Sequence, residues 1–79
     1  MASKKMYTIY DKVAMEAGPI MVFNNDEQAM RAYPLAFKNQ DNASYTDFML
    51  CHIGEIDMEL MTVSRVEVPR DITPTMSEV

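Results

Sequence analysis

An α+β fold is expected for this 79-residue chain: a four-stranded antiparallel sheet with one kinked helix packed on one face, in the order β-β-α-β-β. Three observations predict it. Two stretches of strand-like alternation precede a capped helical segment, two more follow it, and a proline interrupts the helix itself. A chain this short buries only roughly 60 to 65% of the surface it exposes when unfolded, so one sheet face against one helix is the economical core.

Residues 1–5 are short, polar and basic, and are expected to form a flexible N-terminal arm. Residues 6–69 then form a single α+β domain, and residues 70–79 a loosely ordered C-terminal tail. M-Y-T-I-Y-D from Met6 to Asp11 is rich in β-branched and aromatic residues and reads as the first strand. Tyr7 and Ile9 share one face of it; Met6, Thr8 and Tyr10 share the other. Lys12 to Ala17 is either one helical turn or an irregular connection, ended by Gly18-Pro19. Pro19 to Phe23 reads as the second strand, with the proline tolerated at its start. Ile20 and Val22 lie on one side, Met21 and Phe23 on the other.

The strongest local signal follows. Either Asn24 or Asn25 can cap a helix, with an acidic or amide side chain three residues on to close a capping box. Asp26 and Glu27 sit at the positive end of the helix dipole. The buried stripe would be Ala29, Met30, Tyr33, Ala36 and Phe37, with Asp26, Glu27, Arg31 and Lys38 facing water. Pro34 removes a helical hydrogen bond and clashes with the carbonyl of Met30, so the helix kinks or splits near Tyr33. Asn39 to Ser44 is a polar loop.

Tyr45 to Ile53 is the longest strand candidate, with Phe48, Leu50 and His52 on one face and Met49, Cys51 and Ile53 on the other. Gly54 marks a bulge or a close backbone contact, after which the strand continues through Ile56. Met58 to Thr62 contains the turn back. Thr62 to Val68 forms the last strand, with Val66 and Val68 inward, Arg65 and Glu67 outward, and Pro69 closing it. Apolar residues on both faces of the first and third strands predict that the uncovered sheet face self-associates as a homodimer through Ile9, Met49, Cys51 and Ile53.

Composition narrows the function. Hydrophobic residues make up 48% and charged residues 24%, the balance of a folded chain. Twelve acidic against seven basic residues give a net charge of -5, which disfavours a binder that works by non-specific phosphate attraction. A local cationic patch escapes that objection, because charges more than ~10 Å apart are screened at physiological salt. Cys51 is the single cysteine, so an intrachain disulfide is excluded and an intracellular setting is expected. Nothing resembles a signal peptide or a membrane span, so a soluble protein without a membrane partner is expected.

No residue set suggests catalysis, a metal or a cofactor, and the expectation is that the chain is not an enzyme. Cys51 and His52 are neighbours on a strand and point to opposite faces, which rules out a cooperating pair. Glu55, Asp57 and Glu59 alternate, yet on a strand tip they read as a solvated edge that discourages aggregation. Two glycines, Gly18 and Gly54, cannot build a phosphate-cradling loop. Single-stranded nucleic acid needs aromatics flanked by cations. Tyr7, Tyr10 and Tyr45 with Lys4, Lys5, Lys12, Arg65 and Arg70 could supply such a surface on an open sheet face, and the candidates for DNA contact are Lys4, Lys5, Tyr7, Tyr10, Lys12 and Arg31.

Three segments carry a family resemblance. Y-T-I-Y-D-K-V-A from Tyr7 to Ala14 with G-P-I at Gly18, N-D-E-Q-A-M-R-A-Y from Asn25 to Tyr33, and D-F-M-L-C-H-I-G-E-I-D from Asp47 to Asp57 resemble, in order and spacing, the small non-structural protein of gokushoviruses. These are microviruses, bacteriophages with single-stranded DNA genomes. The resemblance covers residues 6–57. It implies a non-enzymatic role in the cytoplasm of the infected bacterium, in DNA replication of the single-stranded genome or its coupling to packaging, by binding single-stranded DNA. The alternative is an acidic adaptor that binds a host or phage replication protein without touching DNA.

Overall fold

The computed structural model describes residues 3–37 and 47–74. Strand β1 (Ser3–Asp11) is central. β2 (Glu16–Ala17) and β3 (Met21–Phe23) both pair with it, the first beside Tyr10 and Asp11, the second beside Lys5 to Tyr7. They are two pieces of one strand position, interrupted at Gly18–Ile20. Helix α1 (Asp26–Ala32) follows, then a 3-10 helix (Pro34–Phe37). β4 (Phe48–Asp57) pairs with β1 along its whole length, and β5 (Thr62–Asp71) pairs with β4. Every pairing is antiparallel, and the order across the sheet is β2/β3, β1, β4, β5. The expected α+β architecture is therefore the observed one.

Local chemistry explains the elements. Asn25 is the helix cap, its Oδ1 accepting from Gln28 N at 2.9 Å, while Gln28 Oε1 accepts from Asn24 N at 2.9 Å. The reciprocal box thus spans both asparagines. Pro34 splits the helix rather than bending it, because its ring suits the first position of a new 3-10 turn.

The two hairpin turns are alike. Asp11 Oδ1 accepts from the backbone of Val13 and Ala14, and Asp57 Oδ1 from Glu59 and Leu60, all at 2.9 to 3.0 Å. Met15 N and Met61 N then close on the carbonyls of Asp11 and Asp57, and both methionines take φ of 59°. The connection after β1 is thus a tight hairpin turn closed by the i→i+4 bond of a single helical turn.

Gly54 is required by packing. It sits beside the register shift in β4, and a Cβ there would overlap the carbonyl oxygen of Ser64. The core on the helix side comprises Tyr7, Ala29, Tyr33 and Leu50, with Ile9, Met21, Phe23, Phe48 and Ile72 packed around it.

Several expectations need correcting. Met30 is 37% exposed, since the short helix turns only Ala29 and Tyr33 fully inward. The side chains of Ala36 and Phe37, and all of Lys38 to Thr46, lie outside the described residues. Val68 is 71% exposed, because β5 leaves register between Arg65 and Arg70. Pro69 falls in that irregular stretch and does not close the strand. The ordered unit is also wider than 6–69. β1 begins at Ser3, and Ile72 packs on the core while Thr73 Oγ1 accepts from Leu50 N at 2.8 Å. Pairing partners far away in sequence hold both ends.

Candidate functional site

Two places in the molecule concentrate chemistry, one on each face of the sheet. On the helix side, Asp26 opens α1 and receives three groups brought by two strands, Lys5 and Tyr7 from β1 and Arg70 from β5. Tyr7 Oη donates to its Oδ1 at 2.6 Å, Arg70 donates to its Oδ2 at 2.9 Å, and Lys5 Nζ lies 4.0 Å away. Arg70 also donates to His52 Nδ1 at 2.7 Å. Because an arginine has no acceptor, that bond leaves the imidazole proton on Nε2. Nε2 is buried without a hydrogen-bond partner among the described residues.

The electrostatics follow from the contacts. The Tyr7 hydroxyl, more than any other group, holds the Asp26 carboxyl below the usual range, with Arg70 and Lys5 helping and burial opposing. Burial chiefly, and then the Asp26 carboxylate, push the Tyr7 hydroxyl far above its ordinary value. At neutral pH the pair is an ionised aspartate accepting from a protonated tyrosine. They clamp β1, β4, β5 and α1 together. Sequence reading set Asp26 facing water; the observed clamp was hidden because Arg70 lies 44 positions away.

Among the described residues, no helix lies over the opposite face. Residues paired across strands share a face, so the register sets Lys4, Met6, Thr8 and Tyr10 of β1 beside Met49, Cys51, Gly54 and Ile56 of β4, and Arg65 and Asp71 of β5. A groove of about 310 Å³ runs between Thr8, Tyr10, Met49, Cys51, Ile53 and Pro69, with Ala17 at its end. Two of its polar groups are held from within. Thr8 Oγ1 donates to Gly18 O at 2.9 Å, and burial pushes the Cys51 thiol up, with Asp71 adding to the effect. The groove therefore offers shape and apolar contact.

The candidate DNA residues do not all converge. Lys4 and Tyr10 stand on the open face, and Lys12 lies in the turn that ends β1, near enough to Asp71 to help lower its carboxyl. Tyr7 and Lys5 belong to the other face, with Tyr7 0% exposed and its hydroxyl spent on Asp26. Arg31 is on the outer helix surface, 3.6 Å from Glu27. Arg65 stands on the open face with Lys4, where its pairing with Gly54 across the ladder places it. Of the proposed self-association residues, Met49, Cys51 and Ile53 line the groove, whereas Ile9 packs into the helix-side core.

Among the described residues, no three His, Cys, Asp or Glu side chains are grouped to hold a metal ion, and no helix is long and apolar enough to cross a membrane. A family model described as Phage ORF5 protein matches residues 4–79, which extends through β5. No curated protein and no solved structure matches the chain.

Proposed function

The chain belongs to the phage ORF5 protein family, and from that premise we propose that it is a non-enzymatic, non-structural protein that binds single-stranded DNA with its open sheet face. Its setting in this reading is the cytoplasm of a bacterium infected by a gokushovirus, during genome replication or its coupling to packaging.

One observation carries the reading. Lys5, Arg31 and Arg70 are engaged in ion pairs; Lys4, Lys12 and Arg65, the described cations without one, all lie on or beside the open face. The chain is acidic as a whole, yet this face gathers its uncommitted positive charge around Tyr10 and an apolar floor. Cations that follow a backbone, with an aromatic on which a base stacks, are the elements of sequence-tolerant single-strand binding.

Titration of a labelled 30-nucleotide single strand and its duplex, followed by fluorescence anisotropy across salt, tests this. Micromolar binding that prefers the single strand is expected, with a salt slope of about -2 for three cations. Replacing Lys4, Lys12 and Arg65 with glutamate should abolish it. Binding unchanged in that variant, or no binding at low salt, overturns the reading.

A second reading, an adaptor for a host or phage replication protein, draws on the hairpin tips. Met15 and Met61 are 76% and 84% exposed, beside Val13 and Leu60 at 74% and 68%. Adaptable apolar side chains held clear of the core suit a protein groove. Pull-down from infected cells that recovers no specific protein, with DNA retained, counts against it.

A further inference from the structure

The open face is large, apolar and patterned in charge along its length. Among the described residues, Val22 and Val63 are exposed hydrophobics that the register sets on this face, beside the half-buried Met6, Tyr10, Met49 and Ile56, while Thr8 and Cys51 at its centre are buried. Four strand positions ~4.8 Å apart and about nine residues at ~3.3 Å each give a footprint on the order of 570 Å². With side-chain relief this approaches the ~800 Å² per partner that a stable interface removes from water.

We infer that in the free protein a second copy of this chain covers the open face, packed sheet to sheet across a two-fold axis that runs perpendicular to the strands. The register arranges the face in four rows. Lys4 and Ile56 lie in the first, Met6 and Arg65 in the second, Cys51 and Asp71 in the third, and Tyr10 and Met49 in the fourth. An axis between the second and third rows exchanges second with third and first with fourth, while each strand stays over its own copy. Arg65 of one copy then meets Asp71 of the other on β5, and the Lys4 ammonium meets the Tyr10 ring on β1, each twice.

Symmetry makes the face its own complement. The remaining crossings are apolar, as when Ile56 meets Met49, and the sheets would stack about 10 Å apart as in a sandwich. A two-fold along the strands fails by comparison. It would carry Arg65 to the side of Val22 and away from Asp71, leaving charges desolvated without partners.

The inference stands apart from the DNA reading, although the two occupants exclude each other, so single-stranded DNA would have to displace the second copy. Sedimentation equilibrium of the full chain without DNA tests it. A dimer at tens of micromolar is expected, weakened about tenfold or more by Arg65→Asp and restored to near the wild-type constant by adding Asp71→Arg. Asp71 also anchors Thr73, so a melt must show the double variant folded. If it is not, exchanging Lys4→Tyr with Tyr10→Lys applies the same logic to the other pair. Met49→Glu should abolish the dimer while the fold remains.

A monomer at 500 μM, a dimer that persists in Met49→Glu, or a folded swap no tighter than its single variant overturns the inference. A dimer that does not bind DNA leaves it standing and removes the proposed function; a monomer that binds DNA does the reverse.

Discussion

The hydroxyl of Tyr7 donates to Oδ1 of Asp26 at 2.6 Å, and through that bond the central strand holds the first turn of the helix. Arg70 reaches the other oxygen of the same carboxylate from the edge strand. One carboxylate thereby joins the helix to the sheet.

Removing the hydroxyl should destabilise the protein without touching the open sheet face. Tyr7→Phe is expected to cost about 1 to 2 kcal/mol, the range for a hydrogen bond to a partly screened charge. Asp26→Ala should cost more, because Arg70 and His52 lose their anchor. Thermal melts of both variants check this, and dimerisation and DNA binding at a temperature where they remain folded should be unchanged.

The same carboxylate sets an acid limit. Asp26 and Asp71 are both held below their ordinary values in the folded chain, Asp26 chiefly by Tyr7 and Asp71 chiefly by Thr73. A depressed native pKa means that the unfolded chain takes up protons first as the pH falls. Their contribution is therefore complete at neutral pH, begins to fade as the pH drops toward about 4, and is lost through the depressed native values. Urea midpoints measured from pH 7 to pH 2 should fall in that window, and Asp26→Asn should flatten the fall.

Gly54→Ala should be among the most damaging small substitutions. Its new methyl would meet backbone rather than a movable side chain at Ser64, and overpacking of that kind costs about 1 to 3 kcal/mol. A urea titration against wild type gives the number. A neutral result would mean that β5 is not seated against β4 at this point.

Met15 and Met61 hold left-handed backbone conformations that glycine adopts without penalty. Met15→Gly and Met61→Gly are each expected to stabilise the fold by about 0.5 to 1 kcal/mol, raising Tm by a few degrees. If the adaptor reading holds, the same variants weaken capture of the protein partner.

The sequence made the strand faces legible because alternation is local. Tyr7 against Thr8, and Leu50 against Cys51, could be assigned from their neighbours alone, as could a helix cap at Asn24 or Asn25 and a bulge or close contact at Gly54. The site was less legible because it is assembled by pairing. Neither Lys5 and Tyr7 behind the sheet nor Arg65 on its open face could be sorted without the register. Ile9 was counted toward both faces, and only its packing beside Tyr7 decides between them. The end of β5 was obscured by Pro69, which usually stops a strand and here occupies a stretch out of register.

The methionines offer the most direct test of the open face. With methyl-labelled methionine, Met6 and Met49 report on that face, Met21 on the helix side, and Met15 and Met61 on the hairpin tips. Methyl resonances recorded on dilution and again on adding a single-stranded oligonucleotide should move at Met6 and Met49 in both experiments and stay in place at Met21. Shifts confined to Met21 or to the tips, with Met6 and Met49 unmoved in both, would contradict the account.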